Sequence, residues 1–107
     1  MTPVRPTAEQ ITVSLEALRA DAADWDHAAG ELRTAARRAD AAVVSPAAFS
    51  FAGGPVAQAY ELLRGNTVGL LAAGADNFSA LAESLRAAAA TYEADELRNL
   101  HWLRNIY

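Results

Sequence analysis

The sequence predicts an all-α protein, an antiparallel hairpin of two long helices that pairs into a four-helix bundle. Three observations carry that prediction. Alanine, the strongest helix former, fills 27 of 107 positions. Two long stretches repeat apolar residues in alternating steps of four and three, the seam of packed helices. Between them lies one cluster of breakers, Pro46 and Gly53-Gly54-Pro55. At this length one domain is expected. It divides into an extended arm over 1–6, the hairpin over 7–96 and a tail over 97–107.

Pro3 and Pro6 keep the arm extended. Thr7-Ala8-Glu9-Gln10 then reads as a capping box, in which the Thr7 hydroxyl and the Gln10 amide take up first-turn N–H groups. The first helix is expected over 7–40. Its seam is Ile11, Leu15, Leu18, Ala22, Trp25, Ala29, Leu32, Ala36 and Ala39, without a break in the alternation. Glu9 and Glu16 stand early while Arg33, Arg37 and Arg38 stand late, the polarity that the helix dipole favours.

The turn is expected over 41–54. Val43, Val44, Phe49 and Phe51 make it apolar for a surface loop, so they are expected to fold over the end of the helix pair. Pro55 suits the first turn of the second helix, where its missing N–H has no partner to lose. That helix is expected over 55–96. Its seam reads Val56, Tyr60, Leu63, Thr67, Leu70, Gly74, Phe78, Leu81, Leu85, Ala88 and Tyr92, with one stutter between Gly74 and Phe78. Gly65, Gly69 and Gly74 are costly inside a helix, so either Gly65-Asn66 breaks it or, the favoured reading, the helix is continuous and the glycines let a neighbour approach the backbone closely. The tail, with Trp102, Leu103 and Ile106, either extends the helix or orders on a partner.

A lone two-helix hairpin has one thin interface and buries little surface. Leu62, Leu71, Ala75, Ala82 and Ala89 form a second apolar strip outside the expected seam. A second hairpin packing there completes a bundle. The partner interface is therefore expected at Leu62, Leu71 and Ala75, with Trp102 and Leu103 of the tail. The partner is the chain itself or a related hairpin protein.

Other functions find no support in the residues. Net charge is −4 and the nine arginines are scattered, so no basic footprint for nucleic acid exists. There is no cysteine, no phosphate-binding glycine loop and no nucleophilic triad, so catalysis is rejected and no cofactor is expected. Asp24, His27 and Glu31 share one helical face, but His101 cannot mirror their spacing, so the reading is a solvated polar face and no metal. The N-terminus lacks an apolar h-region, so no signal peptide of the usual kind is expected. The longest apolar run, Val68 to Ala75, is far short of a membrane span, and membrane contact is not expected.

The second helix ends in Tyr92-Glu93-Ala94-Asp95-Glu96, which stacks a phenol over a carboxylate on one face. By spacing alone this is a seam tyrosine followed by a solvated glutamate. Hairpin, loop glycine and Tyr92-x-x-x-Glu96 together resemble the small helical substrates of type VII (ESX) secretion. Those carry Trp-x-Gly in the turn and Tyr-x-x-x-Asp/Glu after the second helix. Phe51-Ala52-Gly53 stands in the turn position, with phenylalanine where tryptophan is usual. From Phe51 through Ser84-Leu85-Arg86 to Glu96 the chain is most similar to the EspC-like branch, which commonly lacks a strict Trp-x-Gly.

The resemblance implies that Tyr92 and Glu96 are an export signal read by the type VII secretion ATPase. It also makes Phe51 and Gly53 the turn motif. The chain would be secreted as a folded homo- or heterodimer, cytoplasmic before export and without a cleavable signal peptide, its partner a related hairpin or an effector. The alternative is a cytoplasmic dimeric helical scaffold or chaperone for a secreted effector. Direct membrane activity through the tail ranks below both.

Overall fold

In the computed structural model two long helices, α1 (Ala8–Ala41) and α2 (Gly54–Ile106), pack on each other as a hairpin. Their connection holds one turn of 3-10 helix at Pro46–Phe49. The structure describes residues 6–49 and 53–106, with side chains through Trp102. No strand occurs among them. The helix pair divides into two compact units, one built from the chain up to Asp26 and from Ala80 onward, the other from His27 to Ser79.

Each helix starts where its sequence provides a start. The Thr7 N–H donates to Gln10 Oε1 at 2.8 Å and the Gln10 N–H donates to Thr7 Oγ1 at 3.0 Å, the reciprocal capping box. At the other end Gly53 stands at φ 83°, a left-handed conformation that glycine adopts without a Cβ clash. Its N–H donates to the Phe49 carbonyl at 2.8 Å, and Pro55 follows in the first turn of α2. Arg64 closes the C-terminus of α1. It donates to the Asp40 carbonyl at 2.9 Å and to Asp40 Oδ1 at 3.1 Å, placing a cation where the α1 dipole is negative. Arg64 also donates to Glu61 at 2.8 Å, and these hydrogen bonds hold the Glu61 carboxyl below its usual value. Tyr60 Oη donates to the Ala42 carbonyl at 2.6 Å while its ring meets Phe49. Of the loop residues expected to cover this end, Phe49 and Val44 are half-buried but Val43 is exposed.

The α1 seam lies where its periodicity puts it. All nine of its expected positions are buried or half-buried. The α2 seam is in a different register. Its buried residues are Ala75, Ala82 and Ala89, at intervals of seven, with Leu71, Phe78, Leu85 and Tyr92 half-buried between them. From Arg64 the row runs Val68, Leu71, Ala75, Phe78, Ala82, Leu85, Ala89, Tyr92 and Glu96 in unbroken four-three steps, so no stutter exists. Leu63, Leu70 and Leu81, expected in the seam, are exposed. The reason is size. α1 buries Ala22, Ala29 and Ala36 at the same interval. Two alanine rows permit a close approach of the helices that leucines in their place would prevent.

This register corrects the expected partner strip. Ala75 is 0% exposed and has no surface for another chain, and Leu71 lies half-buried in the intrachain row. Only Leu62 of the three, 69% exposed, faces solvent.

α2 runs unbroken through its glycines and on to Ile106. Close approach explains one of them. A Cβ on Gly74 would stand 3.3 Å from Leu32 Cδ1, whereas nothing lies within 4 Å of one on Gly65 or Gly69. Gly65→Ala is therefore expected to stabilise the chain by about 1 kcal/mol through helix propensity. Thermal unfolding followed by circular dichroism reads this as a raised Tm.

Candidate functional site

Tyr92 and Glu96 lie on α2 within the unit that contains the first turns of α1. Both are half-buried. They are the last two steps of the α2 seam row, after Ala82, Leu85 and Ala89. A carboxylate at Glu96 thus occupies a position where the pattern would place another apolar layer. The helices cannot close tightly over it, since a desolvated carboxylate without a partner is costly.

The result is an open cleft of about 280 Å³. Ala8, Ile11, Thr12 and Leu15 of α1 form one wall, and Glu93, Glu96, Leu97 and Leu100 of α2 form the other. Its floor is aliphatic and its rim acidic. Glu93 is anchored, because Arg19 Nη2 donates to its Oε2 at 2.7 Å. Asp95 accepts from Arg98 on the same helix at 2.8 Å. Glu96 makes no ion pair among the described residues, and Tyr92 Oη makes no hydrogen bond among them. The two motif residues are therefore held by packing alone, with their polar atoms available to another molecule.

Further stabilisation of this unit comes from an ion pair between Arg86 and Asp26. Periodicity singled out Ile11 and Leu15 of the α1 wall but not the α2 wall. Leu97 and Leu100 follow Glu93 by four and seven residues, a short row beside the seam that is visible once Glu93 is known to face α1.

The other expected site residues lie elsewhere. Gly53 is in the connection, with the conformation given above, while Phe51 lies outside the described residues. Trp102 is 62% exposed on α2, and the Leu103 side chain lies outside the described ones. Ala8 already faces Leu97 and Leu100, so α1 offers no further helical turn to residues beyond them. His27 Nε2 lies 3.2 Å from Glu31 Oε1 on an exposed face, and no cluster that could hold a metal occurs among the described residues. No helix among them is long and apolar enough to cross a membrane.

A family model described as excreted virulence factor EspC, type VII ESX diderm, matches residues 7–101. The match runs from the α1 cap through the connection to the cleft walls of α2. No curated protein and no solved structure matches the chain.

Proposed function

The chain belongs to the EspC family of excreted type VII ESX proteins, and from that premise we propose that it is an export substrate carrying its signal at Tyr92 and Glu96. The observation behind this reading is the state of those two residues. They sit one helical turn apart, half-buried, with no polar partner among the described residues. A receptor at this end meets a phenol, a carboxylate and an aliphatic cleft fixed by helix packing. The secretion ATPase is the receptor that the family relation points to.

Export proceeds as a folded pair of hairpins, through a route without a cleavable signal peptide, from a cytoplasmic pool. The thin core supports pairing. Leu15 and six alanines are the buried residues among those described, a small apolar burial for so many ordered residues. Leu62 and Trp102 are surface that a related hairpin or an effector would cover. Gly53 shapes the turn that such a partner meets.

Glu96→Gln tests the signal with the shape conserved. The expected result is at least a tenfold fall in the culture filtrate with unchanged helicity in the lysate, because a neutral amide cannot satisfy a cationic receptor group. Wild-type levels in the filtrate would remove the carboxylate from the signal. A cytoplasmic scaffold for a secreted effector is the second reading. It predicts that neither form leaves the cell and that both co-purify with the effector.

A further inference from the structure

We propose that Arg19 of α1 is a positioning residue for the Tyr92 and Glu96 site, acting through Glu93. This rests on the export reading and deepens it, because it makes the site a surface of both helices. Within Tyr92-Glu93-Ala94-Asp95-Glu96, Glu93 is the residue whose side chain is tied to α1. Arg19 Nη2 donates to its Oε2 at 2.7 Å. Tyr92 and Glu96 have no polar partner among the described residues, and Asp95 is held by Arg98 of its own helix. Besides packing, this ion pair is what holds the motif to α1 among the described residues.

Two rows of side chains meet at the pair. On α1, Ile11, Leu15 and Arg19 follow one another in steps of four. On α2, Glu93, Leu97 and Leu100 follow in steps of four and three. Residues so spaced share a helical face. Ile11 and Leu15 line one wall of the cleft while Glu93, Leu97 and Leu100 line the other, so the ion pair closes its inner end. Tyr92 and Glu96 lie about 100° and 60° round the α2 axis from Glu93, both on the same side of it. Fixing Glu93 toward Arg19 thus fixes the direction in which both motif residues face.

The leverage of the pair is local. Its Arg19 and Glu93 side chains are 50% and 46% exposed, so it adds little to global stability. Ala89 is fully buried, but beyond it the α2 row holds Tyr92 and Glu96 only half-buried. A helix end with so little buried contact opens far more readily than the whole chain, so a weak tie shifts its occupancy. The ion pair between Asp26 and Arg86 supplies the contrast. It lies seven residues further in on both helices, with side chains 44% and 47% exposed. Buried Ala22 precedes Asp26 by one turn, and buried Ala82 and Ala89 flank Arg86. The helices therefore stay together there without the pair.

Backbone amide exchange and culture-filtrate levels of the full chain, with Arg19→Gln and the matched control Arg86→Gln, test this. Both substitutions are expected to leave helicity and Tm close to wild type. Arg19→Gln is expected to speed exchange over residues 92–100 about three- to fivefold, and to lower the filtrate level by a similar factor. Arg86→Gln is expected to change neither. Arg19→Lys, which keeps a cation for a contact made through one nitrogen, is expected to restore both.

Unchanged exchange over residues 92–100 in Arg19→Gln overturns the proposal whatever happens to export, because Arg19 would then act on the receptor directly or not at all. So does an equal loss of export from both variants, or a failure of Arg19→Lys to restore it. The two readings fail separately. Tyr92-dependent export with Arg19→Gln at wild-type levels refutes the positioning role and leaves the export reading standing. A wild type confined to the lysate refutes the export reading, while faster exchange in Arg19→Gln alone still assigns Arg19 its hold on this turn.

Discussion

Tyr92→Ala is expected to reduce the chain in the culture filtrate to background while a helical protein accumulates in the lysate. The ring is half-buried at the end of the seam, so its removal also costs packing, about 2 kcal/mol for a side chain partly withdrawn from water. Tyr92→Phe separates the two effects. Its hydroxyl has no hydrogen bond among the described residues, so phenylalanine keeps the packing and the fold is unaffected. If the receptor reads the hydroxyl, Tyr92→Phe lowers export with an unchanged Tm. If it reads the ring, Tyr92→Phe exports normally and Tyr92→Ala does not. Normal export of Tyr92→Ala would remove this residue from the signal altogether.

The largest stability effect is expected at the alanine seam. Ala82 is fully buried, as is Ala29 on α1, and the rows at intervals of seven hold the helices close. Ala82→Leu must push the helices apart or force strained rotamers, at about 1–3 kcal/mol. With so few buried side chains, no neighbouring layer can absorb the displacement. Leu70→Ala, which removes as many carbons as Ala82→Leu adds but at an exposed position, is expected to change the stability of the isolated hairpin by less than about 0.5 kcal/mol. Denaturant titration of both variants checks the contrast. A leucine tolerated at Ala82 without loss would mean that the helices are not held by their alanines.

That contrast also explains what the sequence could and could not reveal. The α1 seam was legible because leucine and tryptophan alternate with its alanines, so large and small residues mark the same face. On α2 two apolar rows run side by side. Choosing the bulkier residues selected Leu63, Leu70 and Leu81, while the core is built on Ala75, Ala82 and Ala89. Hydrophobic size points to the core when helices pack at ordinary distance and misleads when they pack on alanine. The apparent stutter at Gly74 came from switching between the two rows. The same error assigned Leu71 and Ala75 to a partner.

Local signals fared better than register. The Thr7–Gln10 capping box, the turn at Gly53 and the helix start near Pro55 each rest on residues with few conformational choices. For the candidate site, Tyr92 and Glu96 were legible as a spaced pair. Their half-buried state and the cleft with Ile11 and Leu15 were not, because both depend on which α1 turn lies opposite. The export role proposed for the pair rests on family membership, since spacing alone makes it a seam tyrosine and a solvated glutamate.

The central claim is that this hairpin leaves the cell through a type VII system. The most direct measurement is the partition of the wild-type chain between filtrate and lysate in two strains, one with a functional secretion ATPase and one without, with a lysis marker in both. The account predicts filtrate protein in the first strain and lysate protein alone in the second. Equal filtrate levels in both strains, or lysate protein alone in both with the neighbouring gene products co-expressed, would contradict it.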